Sequence, residues 1–329
     1  MKIVFLGSPE FANPSLRALV QAGLAPELVV TQPPARRNRR GEARSSPVGE
    51  AAKELGLPLL EEAKVSVGDA FDQIAAIKPD IAVVVAFGQI LRKSLLALPK
   101  HGCINLHPSM LPKYRGAAPI NWAMIDGVRE SGITVMRLVK KLDAGPVLLQ
   151  RPFEIREDEV AAEALDRSAL IGAEMIVEVV QSFASGSPYP EVVQDETQAS
   201  YAGLFKKEDG ALDFNLPANR VWDRIRGVQP WPGAYAQHLP KDAERSPQRL
   251  IFWRAKPDES NASDAEPGTI IEASSEGVRV ACARGTILLT EIQREGKPRR
   301  AASDFLSGYA IAPGERFEQS AIARDSADA

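Results

Sequence analysis

Through the first half of the chain, short apolar runs alternate with stretches in which apolar residues recur at helical spacing. Lys2 to Leu6 is β-branched and aromatic and is closed by Gly7, which predicts a strand. Asn13-Pro14 then offers a cap and a first-turn proline, and Leu16, Leu19 and Val20 give helical spacing up to the stop at Gly23. Leu28 to Val30 predicts a second strand, Val48 to Leu55 a helix ended by Gly56, and Phe71, Ile74 and Ile77 a further helix. Pro79-Asp80 turns into the strongest buried strand, Ile81 to Ala86, and Ile104 to Leu106 follows. Strands separated by helices of roughly ten residues predict βαβ units, hence a parallel sheet covered on both faces. Ile133 to Val139 and Val147 to Ile155 predict more strands, and Glu157 to about Ala184 one long helix.

The pattern changes at Ser185-Gly186-Ser187-Pro188-Tyr189-Pro190, which with the polar stretch to Gln198 predicts a linker. Beyond it come a short helix around Asn219 to Arg226 and β-rich runs at Leu250 to Trp253, Gly268 to Ile271, Gly277 to Ala281 and Ile287 to Ile292. Short strands with turns between them predict a small barrel. The expected division is residues 1–188 as an α/β domain, 189–205 as linker, 206–317 as the barrel domain and 318–329 as a flexible tail.

Composition narrows the class. At 329 residues, 44% hydrophobic and 25% charged, the chain can fill two cores. The net charge of -3 averages over local clusters and says little about partners. No apolar run approaches ~20 residues, so no membrane-spanning helix is expected. The N-terminal apolar run is cut off by Gly7-Ser8-Pro9, too early for a secretory signal. Cys103 and Cys282 are far apart and lie in no CxxC pair. These features fit a cytoplasmic enzyme.

The common cofactor motifs are missing. Only Gly7 of a GxGxxG turn is present, which argues against a dinucleotide cradle. His101, His107 and His238 are scattered, with no HxxxH or HExxH, so no metal site is expected, and there is no GxSxG elbow.

The stretch NLHPSMLPKYRGAAP, residues 105–119, stands out. Asn105 and His107 are two residues apart at a strand end, so their side chains point to one face. Open parallel sheets bind ligands at such ends. Pro108 and Pro112 hold the chain extended, and helix is expected to resume at about Arg115-Gly116. Asp143 follows a later strand in Leu142-Asp143-Ala144-Gly145. An amide donor, an imidazole and a carboxylate suit acyl transfer: two stabilise an oxyanion and the His–Asp pair moves a proton. A histidine beside a strand also serves as a plain structural residue, and spacing alone does not join Asp143 to His107.

The same residues carry a resemblance. GCINLHPSMLPKYRGAAPINWA (102–123) and GITVMRLVKKLDAGPVLLQ (132–150) resemble the 10-formyltetrahydrofolate-dependent formyltransferases, and within that family the branch that formylates methionyl-tRNA. IVFLGSPEFA, VVVAFGQIL (83–91) and VQPWPGAY (228–235) extend the resemblance over nearly the whole length. It implies a Rossmann-like, doubly wound, mostly parallel sheet of the formyltransferase fold, followed by an OB-like β-barrel that supports tRNA. It implies Asn105, His107 and Asp143 as the catalytic set, Ser109, Met110, Leu111 and Pro112 as the segment along which folate lies, and Phe87, Gly88, Gln89, Ile90 and Leu91 as a loop of the pterin pocket. The formyl donor would be 10-formyltetrahydrofolate, with no metal, and the acceptor the amine of initiator methionyl-tRNA. A monomer is implied as well.

The loop PPARRNRRGEARSSP (33–47) carries Arg36, Arg37, Arg39, Arg40 and Arg44 against one acid, Glu42. In the family a basic loop at this place enters the tRNA acceptor stem, and phosphate contacts need such charges. Its usual pattern has Arg-Gly-Lys near the middle, where this chain has Arg40-Gly41-Glu42. Later come Arg220, Arg224 and Arg226 beside Trp222, then Lys297, Arg299 and Arg300. Aromatics interleaved with arginine suit nucleic acid, while Trp222 and Trp231 equally suit a core. The alternatives are a formyltransferase acting on an amino sugar nucleotide, on glycinamide ribonucleotide or on water, and a folate-binding RNA-binding protein without turnover.

Overall fold

Two fully buried runs, Ile3 to Leu6 and Ile81 to Val85, sit side by side at the centre of a seven-stranded sheet. We label its strands β1 (Ile3–Gly7), β2 (Leu28–Thr31), β3 (Leu59–Glu61), β4 (Ile81–Val85), β5 (Cys103–His107), β6 (Glu130–Arg137) and β7 (Val147–Glu154). Their spatial order is β7-β6-β5-β4-β1-β2-β3. The computed structural model describes residues 1–36, 43–157, 159–261 and 264–318.

Strands β1 to β5 pair in parallel, whereas β6 runs antiparallel to both β5 and β7. Continuous apolar strands are what a doubly covered sheet requires, because each face must meet a helix. From β1 the chain moves outward to β2 and β3, then returns across to β4 and β5. The order therefore reverses between β1 and β4, and crevices for ligands open at the carboxyl ends of strands flanking such a reversal. Val4, Leu6, Val30, Ile74 and Val84 belong to the core packed on one face.

Several boundaries differ from the sequence reading, each for a local reason. Strand β5 runs one residue beyond Leu106 and takes in His107, which pairs with Thr134. Helix does not resume at Arg115-Gly116. Those residues are extended, and the helix is Pro119–Ile125, with proline preset for its first turn. Asn13 is the first residue of its helix rather than the cap, because a 3-10 turn at Glu10–Ala12 leads into it. The long helix begins at Ala161 and ends at Ala184. Strand β3, three half-buried residues at the sheet edge, is too short to show a period.

The chain packs as two compact units. One comprises Met1–Gly116, Glu130–Glu154 and Leu165–Ser200; the other comprises Ala117–Arg129, Ile155–Ala164 and the described residues from Tyr201 onward. In the stretch read as a linker, Val192 bridges Val147 of β7, so the chain there is held by the first unit.

The second unit has a helix at Ala218–Gly227 and an antiparallel sheet in the spatial order Ile270–Ser274, Gly277–Ala281, Thr286–Arg294, Gln248–Asp258, Ala234–Leu239, Arg316–Phe317. An antiparallel bridge from Thr269 to Arg316 brings the two ends of that path together, so the sheet curls as a small barrel does. Phe252 meets Phe317 edge-on with ring centres 5.3 Å apart, at the middle of its core. Among the described residues no helix is long and apolar enough to cross a membrane.

Candidate active site at the carboxyl end of the sheet

Strand β5 brings Asn105 and His107 to the edge where the parallel strands end. His107 is buried, and its Nε2 lies 2.9 Å from the Tyr114 carbonyl oxygen. A carbonyl only accepts, so Nε2 carries the proton. The other ring nitrogen, Nδ1, is 3.7 Å from Asp143 Oδ2. That is ion-pair range, beyond a direct hydrogen bond. The structure thus joins two of the three candidate groups from opposite ends of a 36-residue separation in sequence.

Burial pushes the His107 imidazole below its ordinary value of 6.5, against the opposing pull of the Asp143 carboxylate and the Tyr114 carbonyl. The ring is therefore neutral at pH 7. Asn105 is half-buried, and its side-chain amide makes no hydrogen bond to any described residue.

Asp143 is fixed from three sides. Its Oδ2 accepts the Gly116 backbone N–H at 2.7 Å. Its backbone adopts φ 47°, left-handed, a region that Asp tolerates better than most residues. Two residues on, a Cβ at Gly145 would lie 1.8 Å from the Arg137 carbonyl oxygen, so only glycine lets the loop approach β6 this closely. The four described non-glycine residues with positive φ include Ala86, directly after β4, and Tyr114 and Asp143, which both approach His107; the fourth, Lys78, caps a helix. Clustering of such conformations around one side chain is characteristic of functional sites.

The Ser109–Pro112 segment is pinned by residues that sequence reasoning passed over. Thr134 Oγ1 donates to the Ser109 carbonyl at 2.7 Å and accepts from Leu111 N at 3.3 Å. Gln150 Nε2 donates to the Leu111 carbonyl at 2.9 Å and to Thr134 Oγ1 at 3.0 Å. Ser109 is buried and spends its hydroxyl on the Lys113 carbonyl, while Met110 packs over Gly132. These ties set the segment's shape.

In the loop Phe87 to Leu91, Phe87 is in the core and Leu91 packs against it. Gln89 turns back to the Glu62 carbonyl and the Val65 N–H. Gly88 has φ 80°, and Ile90 is almost fully exposed. The Phe87 carbonyl accepts from Ser8 Oγ and Gln32 Nε2, both at 3.3 Å, tying the loop to the turns after β1 and β2. Those three turns and Arg44 line a cavity of about 490 Å³ that includes Ser8, Gln32, Phe87 and Gly88. It lies where the strand order reverses, the place such sheets reserve for ligands.

Of the arginines in the basic loop, Arg36 and Arg44 lie on a two-residue hairpin, Ala35–Arg36 paired with Ala43–Arg44, and Arg44 is exposed. Arg37, Arg39 and Arg40 lie outside the described residues. In the second unit, Arg224 and Arg226 are buried and bonded to backbone carbonyls of Asp209 and of Arg156, Glu157 and Glu159. They are not surface phosphate ligands, because both are buried and those carbonyls and Asp223 take hydrogen bonds from their terminal nitrogens. Trp222 is buried and Trp231 exposed, whereas Lys297, Arg299 and Arg300 are at the surface.

A further support was hidden from the sequence. Arg115 is wholly buried; its guanidinium meets Gln194 Oε1 at 2.8 Å and Glu196 Oε1 at 3.0 Å. Gln194 Nε2 in turn donates to the carbonyls of Asp143 at 2.8 Å and Gly145 at 2.7 Å. The Arg115 guanidinium, then the Lys141 ammonium, holds the Glu196 carboxyl down to about 2.

The family model described as formyl transferase matches residues 1–180, and that described as formyl transferase, C-terminal domain, matches residues 205–310. The methionyl-tRNA formyltransferase of Citrifermentans bemidjiense is 41% identical over 314 residues, covering 95% of each chain. That of Geobacter sulfurreducens is 41% identical over 317 residues, covering 96% of each. Among solved structures, the N-formyltransferase from Helicobacter canadensis in complex with folinic acid and dTDP-3-aminofucose aligns with a TM-score of 0.64 at 14% identity, over 89% of this chain and 99% of its own. The methionyl-tRNA formyltransferase from Clostridium thermocellum aligns at 0.52 and 16% identity, over 81% and 98%. These structural likenesses speak to the fold.

Proposed function

We propose that this chain, which belongs to the formyl transferase family, transfers a formyl group from 10-formyltetrahydrofolate to the α-amino group of methionyl-tRNA, giving N-formylmethionyl-tRNA for translation initiation. The observation that carries the reading is the buried His107 beside Asp143, two residues after an Asn105 whose amide has no partner among the described residues, in a chain so similar to methionyl-tRNA formyltransferases.

The donor's carbonyl and the acceptor's amine define what the residues must do. The amine lone pair forms a bond to the formyl carbon, and the carbonyl pair moves onto oxygen. Asn105 donates to that oxyanion. His107 donates through Nε2–H, exchanging the Tyr114 carbonyl for the more strongly accepting oxyanion. Asp143 takes part in passing the amine's proton, so that N10 of the folate leaves protonated as its bond to carbon breaks. Ser109, Met110, Leu111 and Pro112 form one wall for the folate, and the backbone of Phe87, Gly88, Gln89, Ile90 and Leu91 borders the pterin.

Arg36, Arg37, Arg39, Arg40 and Arg44 serve the tRNA backbone, and residues 206–317 support the tRNA while 1–188 hold the chemistry. The enzyme works as a monomer in the cytoplasm and without a metal. The test is to incubate the protein with 10-formyltetrahydrofolate and methionyl-tRNA and assay N-formylmethionyl-tRNA. Formylation of an amino sugar nucleotide instead, or release of free formate alone, overturns the assignment.

A further inference from the structure

The carbonyl that meets the His107 ring belongs to a residue in a costly conformation. Tyr114 has φ 58°, left-handed, an outlier for so bulky a side chain. The peptide groups on both sides of it are fastened. Before it, the Lys113 carbonyl accepts from Ser109 Oγ at 2.6 Å, and the Tyr114 N–H donates to Ser200 Oγ at 2.9 Å. After it, the Tyr114 carbonyl lies 2.9 Å from His107 Nε2, and the Arg115 N–H donates to the Ser200 carbonyl at 2.8 Å. The Ser200 N–H donates to the Pro112 carbonyl at 3.3 Å. Ser200 thus ties its hydroxyl, its carbonyl and its N–H to the segment Pro112–Arg115, within the first unit.

A neutral imidazole carries one N–H, and two acceptors compete for it here. The Tyr114 carbonyl claims the proton at Nε2 from 2.9 Å; the Asp143 carboxylate, 3.7 Å from Nδ1, would claim it on the opposite nitrogen. A charged acceptor makes the stronger bond once it is in reach. The carbonyl is within hydrogen-bond distance and the carboxylate is not, so the position of Tyr114 decides the tautomer. The outcome has chemical weight. With the proton on Nε2, the ring has a donor for an oxyanion and keeps the Nδ1 lone pair, on the Asp143 side, to receive a proton. With the proton on Nδ1, Nε2 becomes a bare acceptor and repels an oxyanion.

We propose that Ser200 is a positioning residue: its hydroxyl holds the Tyr114 peptide where the carbonyl keeps His107 in the Nε2–H tautomer, with the Nδ1 lone pair toward Asp143. The catalytic consequence rests on the formyl-transfer reading of the site, whereas the tautomer is a property of the protein alone. Two side chains hold the Tyr114 peptides, Ser109 and Ser200. Ser109 belongs to the folate wall, so Ser200 is the one whose hydroxyl can be removed without touching that wall.

The test reads the ring directly. Two-bond proton–nitrogen NMR spectra of the full chain, labelled with nitrogen-15 histidine, report which ring nitrogen carries the proton at neutral pH. His107→Gln identifies the His107 signals among those of His101 and His238. The parent should show Nε2–H. Ser200→Ala and Ser200→Val should move most of the population to Nδ1–H, whereas Ser200→Thr, which has the shape of valine and keeps the hydroxyl, should retain the parent tautomer. In formylation of methionyl-tRNA, the Ala and Val variants should lose at least tenfold in kcat with the KM for 10-formyltetrahydrofolate within twofold of the parent, and Ser200→Thr should restore kcat. A parent protonated on Nδ1 overturns the proposal without any variant. So does an Nε2–H signal that persists in both Ser200→Ala and Ser200→Val, or a changed tautomer that leaves kcat within twofold. A parent that forms no N-formylmethionyl-tRNA sinks the proposed function instead, and the tautomer alone then upholds or overturns the clamp.

Discussion

Gln194 donates to the backbone carbonyl of Asp143 at 2.8 Å while its own carbonyl accepts from the buried guanidinium of Arg115. One side-chain amide thereby fastens the loop that carries the carboxylate to an ion pair that the solvent does not reach from the Arg115 side. Gln194→Leu takes the donor from the Asp143 and Gly145 carbonyls and one acceptor from the Arg115 guanidinium, which keeps Glu196, at a cost of about 1–3 kcal/mol for each group left unsatisfied. We expect a lower unfolding midpoint and a kcat reduced at least tenfold with the KM for folate little changed. Gln194→Glu keeps an acceptor for Arg115 but has no N–H for the carbonyls, so it should recover stability more than turnover. Equal recovery of both would remove Asp143 positioning as the role of Gln194.

The His107 and Asp143 pair allows a sharper experiment. His107→Ala and Asp143→Ala should each lose at least ~10²-fold in kcat, the scale of an acid–base or oxyanion group. If the two act as one unit, the double variant should lose little beyond the worse single variant. Additive losses measured in formylation of methionyl-tRNA would mean that the 3.7 Å approach of the two side chains has no catalytic meaning.

Acidification should weaken the fold through the same residue. Burial, chiefly, holds His107 below 6.5, and burial does the same to His238 against the pull of Glu315. Over the window beneath 6.5 the unfolded chain binds more protons than the folded one. Stability from this source is therefore full above about pH 6.5 and is lost as pH falls toward the folded-state values. Urea midpoints between pH 7.5 and 5 should fall for the parent and fall less steeply for His107→Gln. An identical slope in that variant would show that His107 does not titrate in this window.

Much of this site was legible because it sits in one short segment. Asn105, His107 and the prolines that follow mark a strand end by themselves, and the doubly wound sheet follows from apolar runs spaced by helices. What holds the site was not legible. Arg115 looks like a surface charge in sequence yet is wholly buried, and Gln194 lies among polar residues that suit a linker. Their partners are 79 residues apart, and no local period encodes a contact at that range. Thr134 is hidden for another reason. Within Ile133-Thr134-Val135 it reads as one more β-branched strand residue, and only the register against His107 turns its hydroxyl into a tie.

That tie gives a binding prediction. Thr134→Val keeps the shape of the side chain and removes both the donor to Ser109 and the acceptor for Leu111. The folate wall should loosen, raising the KM for 10-formyltetrahydrofolate about tenfold, which corresponds to ~1.4 kcal/mol, while kcat changes less than threefold. Steady-state kinetics at saturating methionyl-tRNA measure this. A KM within twofold of the parent would free the segment of any dependence on Thr134.

Gly145 offers the most direct test of loop position. A methyl group there would lie 1.8 Å from the Arg137 carbonyl oxygen, an atom of backbone in the antiparallel strand β6, so neither side can give without moving the loop. The Asp143 carboxylate is two residues away and its acceptance of the Gly116 N–H depends on the same loop. Displacing a catalytic group by about 1 Å costs up to ~10²-fold in rate. Gly145→Ala should therefore lose at least tenfold in kcat, and its crystal structure should show Asp143 further from His107. Gly186→Ala is the control: it too sits in a turn, with φ 77°, but a methyl there meets nothing within 4 Å. It should lose some stability to backbone strain and keep its kcat. A Gly145→Ala enzyme as fast as Gly186→Ala would show that the reaction tolerates a displaced Asp143 loop.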